Sequence, residues 1–402
     1  MKKAYAVIGA NFGDEGKGLM TDYFCRKNEN VIDVRINGGA QAGHTVCTPD
    51  GKRHVFSHIG AGCFAGADTY LSEFFIVNPM LFNRESEQLG LKAGKVYIDK
   101  HCLLTLPCDM LLNQFAERNR GDKRHGSCGV GIYETMLRSA DEKYRLEYGE
   151  VEDSYEYRTQ LISKMQEISK NYCRKRADEL KIKDDRLKEL FELINNENII
   201  LNYIDELIYM TKLCCKSDVT VIDQYQTAVF EGAQGLLLDM DRDDYFPNLT
   251  PSNTGMKNIR SILDRVEKRD TEVCYVTRTY FTRHGAGRFD TEYPELQKKC
   301  GLIDKTNSPN EFQGYFRYGW FDLPEFMTSL SNDRKYALDD EKISIAVTHL
   351  DMTKGKILCQ TGELLPEDIS YMTCADKLYK VYGETAANVE MCHVYEKALL
   401  RK

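Results

Sequence analysis

No apolar run in this chain extends beyond a few residues, as at Leu236-Leu237-Leu238, whereas a membrane-spanning helix needs about 20. No membrane partner is therefore expected. Met1-Lys2-Lys3 is followed by an apolar stretch too short for a secretory signal, leading straight into a glycine-rich segment. Positive charge is in deficit: 54 Lys and Arg stand against 62 Asp and Glu, for a net charge of -8. Holding a polyanion by bulk charge, as nucleic-acid-binding proteins do, is disfavoured. The 14 cysteines include no Cys-x-x-Cys pair, and none has metal-ligand spacing to a histidine. They read as reduced thiols of a cytoplasmic protein rather than as disulfides or a zinc site. There is no internal repeat and no low-complexity tract, and no Pro or Gly falls between 150 and 215.

What remains is ordinary globular usage: 42% hydrophobic and 29% charged over 402 residues, well outside the regime of disorder. Residues 4–9 and 31–36 read as strands, and 17–28 is helix-compatible. That β-loop-α-β opening is typical of a mostly parallel sheet with helices on both faces. Strand texture recurs at 72–82, 219–222, 226–231, 273–277 and 343–349. From about 140 to 215, charges alternate with Leu, Ile, Met and Tyr at helical spacing, predicting two to four helices in an insertion or lid-like subdomain. The charge run Lys181 to Lys188 predicts a solvated helix face. In open α/β sheets ligands bind outside the carboxyl ends of the strands, and the unusual residues of this chain cluster there.

Five constellations carry the chemistry. Gly9 to Gly18 (Gly-Ala-Asn-Phe-Gly-Asp-Glu-Gly-Lys-Gly) has the makings of an anion cradle at a helix N-terminus. It matches neither a Walker A loop nor a dinucleotide fingerprint. Carboxylates inside such a loop, Asp14 and Glu15, suit a metal ligand or a base; otherwise this is a glycine-rich turn with surface charges. Gly38 to Thr45 places Gln41, able to read an amide edge, and His44, able to donate a proton, after a second strand. Phe230-Glu231-Gly232-Ala233-Gln234-Gly235 leads to Leu238-Asp239 and to Thr250 through Gly255. Thr282-Arg283-His284-Gly285-Ala286-Gly287-Arg288 through Glu292 is the fourth. The fifth, Thr348-His349-Leu350-Asp351, offers a carboxylate that can accept from N1–H and N2–H₂ of guanine.

In order and spacing these segments resemble the adenylosuccinate synthetase family over most of the chain. The resemblance also includes Ser252-Asn253-Thr254 and Gly319-Trp320-x-Asp322. It implies one domain over 1–402, α/β with a P-loop-like, mostly parallel central sheet and the helical insertion at about 140–215. It implies a ligase that joins L-aspartate to IMP with GTP and Mg²⁺, acting as a homodimer on small-molecule substrates. Asp14 falls on the family's catalytic aspartate, which takes the N1 proton and ligates Mg²⁺ with the Gly43 carbonyl. His44 falls on the catalytic histidine, serving the transferring or leaving oxygen. Gly13, Glu15, Gly16, Lys17 and Gly18 match the nucleotide loop, and Gln41, Ala42 and Thr45 belong to the second catalytic loop. Gln234 and Thr250 match nucleotide contacts, Ser127 and Cys128 the substrate-phosphate pair, and His349, Asp351 and Gly383 the guanine pocket. Arg138 is the nearest candidate to reach a partner's substrate phosphate.

The chain also departs from that pattern. Gln41 stands for Asn, Cys128 for a phosphate-binding Thr, and His349 for a Lys. Gly129-Val130-Gly131 replaces Gly-Arg-Gly, with a shorter loop after it. After Asn310-Glu311-Phe312 the arginine-rich aspartate clamp shrinks to Gln313-Gly314-Tyr315-Phe316 and one Arg317. A dicarboxylate calls for paired cationic donors, so Arg283 or Arg288 would have to supply the second. Three readings follow: the ordinary ligase; a specialised paralogue, such as a 2-aminoadenylosuccinate synthase acting on dGMP or an enzyme using another amine; and a non-catalytic nucleotide sensor. Retention of Asp14, Lys17, Gly43 and His44 argues against the last.

Overall fold

The computed structural model describes residues 1–121, 127–303 and 316–394. Ten strands form the central sheet: β1 (Lys3–Gly9), β2 (Val31–Arg35), β3 (Asp68–Leu71), β4 (Val96–Asp99), β5 (Cys214–Ser217), β6 (Thr227–Gly235), β7 (Asp270–Arg278), β8 (Lys342–Thr348), β9 (Lys377–Val381) and β10 (Val389–His393). Their order is β5-β4-β3-β2-β6-β1-β7-β8-β9-β10. All neighbours are parallel except β9 and β10. Inner parallel strands are covered on both faces and so read as nearly continuous apolar runs.

Alternation along β1 shows the two layers. Ala4, Ala6 and Ile8 enter one apolar cluster with Met256, Ile259 and Ile262 of the helix Met256–Leu263 and Phe326 of the helix Leu323–Asp333. Val7 points the other way, into a cluster with Met20, Phe24 and Cys25 of α1 (Lys17–Arg26). Successive strand side chains face opposite sides, so helices on both faces follow.

The segment 140–215 contains helices Tyr155–Glu167, Arg174–Glu179, Asp184–Ile194 and Glu197–Leu213, with a wider-wound turn at Ile168–Cys173. It shares an apolar cluster with Val96 and Ile98 of the sheet edge. Its last residues, Cys214 and Cys215, already belong to β5. Two sequence expectations need correction. Residues 219–222 are a 3₁₀ turn, Val219–Gln224, because the Asp218 carboxylate caps Thr220 N at 3.0 Å and starts a turn instead of a strand. The charge run 181–188 is not one helix face: Lys181, in the left-handed region at φ 53, separates two helices, and Ile182 after it is buried. Among the described residues, no helix is long and apolar enough to cross a membrane.

Candidate active site

Four loops leaving β1, β2, β7 and β8 meet at the carboxyl edge of the sheet. The first bends through Gly13 and Gly16, both with positive φ. A Cβ on Gly9 would come within 2.4 Å of Glu15 Oε2 and 2.8 Å of Lys17 Nζ, so only glycine lets that ion pair tuck under the loop. Glu15 is buried. Its Oε1 accepts from Asn11 N (3.0 Å) and Gly13 N (2.8 Å), and its Oε2 meets Lys17 Nζ at 2.8 Å. The expectation of a ligand contact from the Glu15 side chain is therefore corrected: the carboxylate braces the loop from inside. α1 starts at Gly16 with no side-chain cap, so its first-turn amides and positive dipole end are turned to the cleft.

His44 opens a hairpin of His44–Cys47 and Arg53–Phe56. A Cβ on Gly18 would stand 3.0 Å from His44 Cβ, so α1 packs tightly on the histidine. His44 Nδ1 lies 2.5 Å from Glu231 Oε1. The register of β2 and β6 puts Arg35 opposite Glu231, with Arg35 Nη1 3.3 Å from Oε2. Ala61 N also donates to Oε2, at 3.1 Å. Burial pushes the His44 pKa down, favouring a neutral imidazole whose Nδ1–H donates to Glu231. Burial opposes the Glu231 charge, but His44 and Arg35 outweigh it and hold the carboxyl below its usual range. The neighbouring buried Asp33 is pushed well up, by burial and then by Glu231.

Asp14 is partly exposed. Arg278 Nε donates to its backbone oxygen, and His284 Nε2 stands 3.5 Å from Oδ2. Burial, then the charge of Asp14, raises the Cys128 thiol to about 11. Asn113 Nδ2 donates to Ser127 Oγ at 2.9 Å, fixing the start of that loop. On the far side, Thr348 Oγ1 donates to Glu15 O at 2.7 Å, tying the end of β8 to the first loop. His349 takes a left-handed conformation, φ 62, with its ring edge-on to Tyr280 at 6.0 Å.

One cleft is lined by Gly13, Asp14, Gly16, Lys17, Gly18, Gly43, His44 and Thr45 on one side, and by His349, Asp351 and Gly383 on the other. Gln41 folds back over Gly38 and Gly39, and its Oε1 is buried without a hydrogen-bond partner among the described residues. Buried Ala42 precedes Gly43, which lines the cleft. Gln234, at φ 63, stacks its backbone against Gly13, and Thr250 N is tied to Leu238 O at 2.9 Å.

Two expected residues lie elsewhere. Arg138 is fully buried and cannot reach across a subunit boundary: it holds Asp109 through Nε and Nη2 and donates to Leu104 O (2.7 Å). Arg317 is not a waiting carboxylate clamp. Its Nε is 2.9 Å from Glu292 Oε1, its Nη2 meets Oε2, and its Nη1 donates to Gly285 O and Gly287 O. The expected donor loop at 310–315 lies outside the described residues. Arg283, paired in register with Arg317, is buried and donates to Arg288 O and Asn248 O. Burial, then Arg317, lowers its pKa to about 10. Arg288 is held by Asp290.

The sequence reading singles out neither Arg35 nor Arg278, and it does not pair Glu231 with His44 or His284 with Asp14. Charged residues inside central strands, Val31–Arg35 and Thr227–Gly235, were the available signal. Among the described residues, no three His, Cys, Asp or Glu side chains stand together as a protein-only metal site.

The family model described as adenylosuccinate synthetase matches residues 6–357. The chain is similar to the adenylosuccinate synthetase of Lactobacillus acidophilus, at 30% identity over 408 residues, covering 96% of this chain and 87% of that protein. It is 28% identical to that of Mesoplasma florum, covering 91% and 82%. In fold it is similar to fully ligated adenylosuccinate synthetase from Plasmodium falciparum, with TM-score 0.67, 19% identity and 97% and 99% coverage. It is also similar in fold to the cyanophage S-2L succinoaminodeoxyadenylate synthetase, solved with dGMP and with dATP as energy donor, with TM-score 0.60, 12% identity and 100% and 99% coverage. Together with a mostly parallel sheet whose strand ends carry the family's motifs into one cleft, these similarities lead to one conclusion: the chain belongs to the adenylosuccinate synthetase family.

Proposed function

We propose that this carbon–nitrogen ligase joins L-aspartate to C6 of IMP, with GTP as phosphoryl donor, through a 6-phosphoryl nucleotide. The observation that carries the reading is the meeting of Asp14 and His44 in one cleft with the uncapped start of α1 between them and Asp351 opposite. Asp14 takes the N1 proton of hypoxanthine as a general base. O6 then attacks the γ-phosphorus, forming the O6–P bond as the bond to the β-phosphate oxygen breaks. Lys17 and the first amides of α1 cradle the charged oxygens. His44, oriented by Glu231, serves the transferring oxygen. The amine next attacks C6, and phosphate leaves.

Mg²⁺ fits this corner: the partly exposed Asp14 carboxylate and the Gly43 carbonyl are oxygen donors that would hold it together with substrate phosphates. When bound it would neutralise phosphate charge. Asp351 suits guanine, because its carboxylate can accept two N–H donors that adenine does not offer together. The enzyme acts as a homodimer, as its family does, and sedimentation velocity tests this.

A second reading concerns the donor. Arg317 is already bound to Glu292 and Arg288 to Asp290, which favours an amine with fewer carboxylates than aspartate. One experiment separates the readings. Purified chain, Mg²⁺ and GTP or ATP are combined with IMP, GMP, dIMP or dGMP and a panel of amino acids, and adducts are identified by mass spectrometry. An IMP–aspartate adduct supports the first reading. Adducts only with another amine, or only with dGMP, overturn it.

A further inference from the structure

We propose that Arg278 and His284 are positioning residues that grip Asp14 at its two ends from a common aromatic platform, Phe316. The proposal rests on the reading of Asp14 as the base.

Asp14 sits between Gly13 and Gly16, both with positive φ, so its loop alone leaves the carboxylate several rotamers. A base displaced by about 1 Å can cost about 10²-fold in rate. The grip comes from the end of β7 and from an antiparallel strand pair beyond it. Arg278 Nε donates to the Asp14 backbone oxygen, and the Arg278 guanidinium lies over Tyr280 (5.9 Å) and Phe316 (5.5 Å). His284 Nε2 stands 3.5 Å from Asp14 Oδ2, and its ring leans on Phe316 with centroids 4.6 Å apart. His284 and Phe316 are direct partners in the antiparallel pair of Phe281–His284 with Phe316–Gly319, so the backbone register fixes the imidazole. At 3.5 Å the contact is longer than a good hydrogen bond, and such contacts tighten when substrate arrives. A neutral imidazole with its proton on Nε2 is sufficient; no change of charge is involved.

The test compares His284→Val, His284→Gln and Phe316→Leu with wild type and Asp14→Asn, using the nucleotide that forms the adduct. Three quantities are read: steady-state kcat and KM; β,γ-bridge positional isotope exchange in GTP without amine donor; and the Asp14 conformation in crystals. His284→Val is expected to lose about 10- to 100-fold in kcat and in exchange, with nucleotide KM within about threefold and the carboxylate split between rotamers. His284→Gln, which keeps an N–H at similar reach, is expected to restore most of the loss. Phe316→Leu should reproduce the kcat loss, and it carries the test if His284→Val does not fold. Wild-type kcat in His284→Val, or no rescue by glutamine, overturns the grip. Retained activity in Asp14→Asn overturns the base reading instead, and a disordered carboxylate in His284→Val would then still support the grip.

Discussion

His44 and Glu231 are 187 residues apart in the chain and 2.5 Å apart in the fold, Nδ1 against Oε1. Arg35 closes the group from the neighbouring strand at 3.3 Å. The carboxylate selects the tautomer: with Nδ1–H spent on Glu231, only Nε2 is left to serve a substrate oxygen. Glu231→Gln can turn its NH₂ toward Nδ1 and favour the other tautomer. It is expected to lower kcat by about 10²-fold or more with little change in KM. Steady-state kinetics check this, and a variant within twofold of wild type would remove Glu231 from the mechanism.

Asp14→Asn is expected to abolish turnover while leaving the fold intact. Loss of a general base costs about 10²–10⁴-fold. The side chain is partly exposed and stands at a long distance, 3.5 Å, from His284, so the melting temperature should stay within about 2 °C of wild type. Calorimetry and turnover are measured on the same preparation.

Arg138→Leu is expected to act on stability and not on a partner's active site. It strands the fully buried Asp109 carboxylate, and breaking a buried pair costs about 3–5 kcal/mol. Urea unfolding should show that loss, and Arg138→Leu with Asp109→Leu should recover much of it. A stable Arg138→Leu enzyme with a raised KM for the nucleoside monophosphate would return this residue to the site.

Nucleotide choice should follow Asp351. Serving adenine would forgo one hydrogen bond to the charged carboxylate, at about 1.5–3 kcal/mol, so kcat/KM for GTP should exceed that for ATP by about tenfold or more. Asp351→Asn should erase the preference. Equal values for both nucleotides in wild type would defeat the assignment.

Stability should fall with rising pH because of Asp333. This buried carboxyl accepts from Met256 N at 2.8 Å and from the Tyr275 hydroxyl at 2.9 Å. Burial raises its pKa from 3.8 to about 7. A folded-state pKa above the unfolded one means the contribution is fully present below about pH 4 and is lost as pH rises through about 7. Between pH 5 and pH 8 wild type should lose roughly 2–3 kcal/mol, and Asp333→Asn should flatten that slope. Urea midpoints at the two pH values measure it.

Local chemistry was legible from the sequence. The alternation in β1, the glycines of the first loop and the helix start after Gly16 are decided by neighbours a few residues away. They locate the glycine-rich loop after β1, the helix that follows it and the strand Lys342–Thr348 that leads to Asp351. The mostly parallel sheet and the family follow from the order of those pieces. What only the tertiary structure decided is which charge meets which. Glu15 turns inward to Lys17, Arg138 is taken by Asp109, Arg317 by Glu292, and Asp14 is met by Arg278 and His284 from 264 or more residues further along the chain. A sequence shows that a buried charge must find a partner, because an unpaired one is too costly. It does not show which partner, because that depends on strand register and loop packing between segments far apart in the chain.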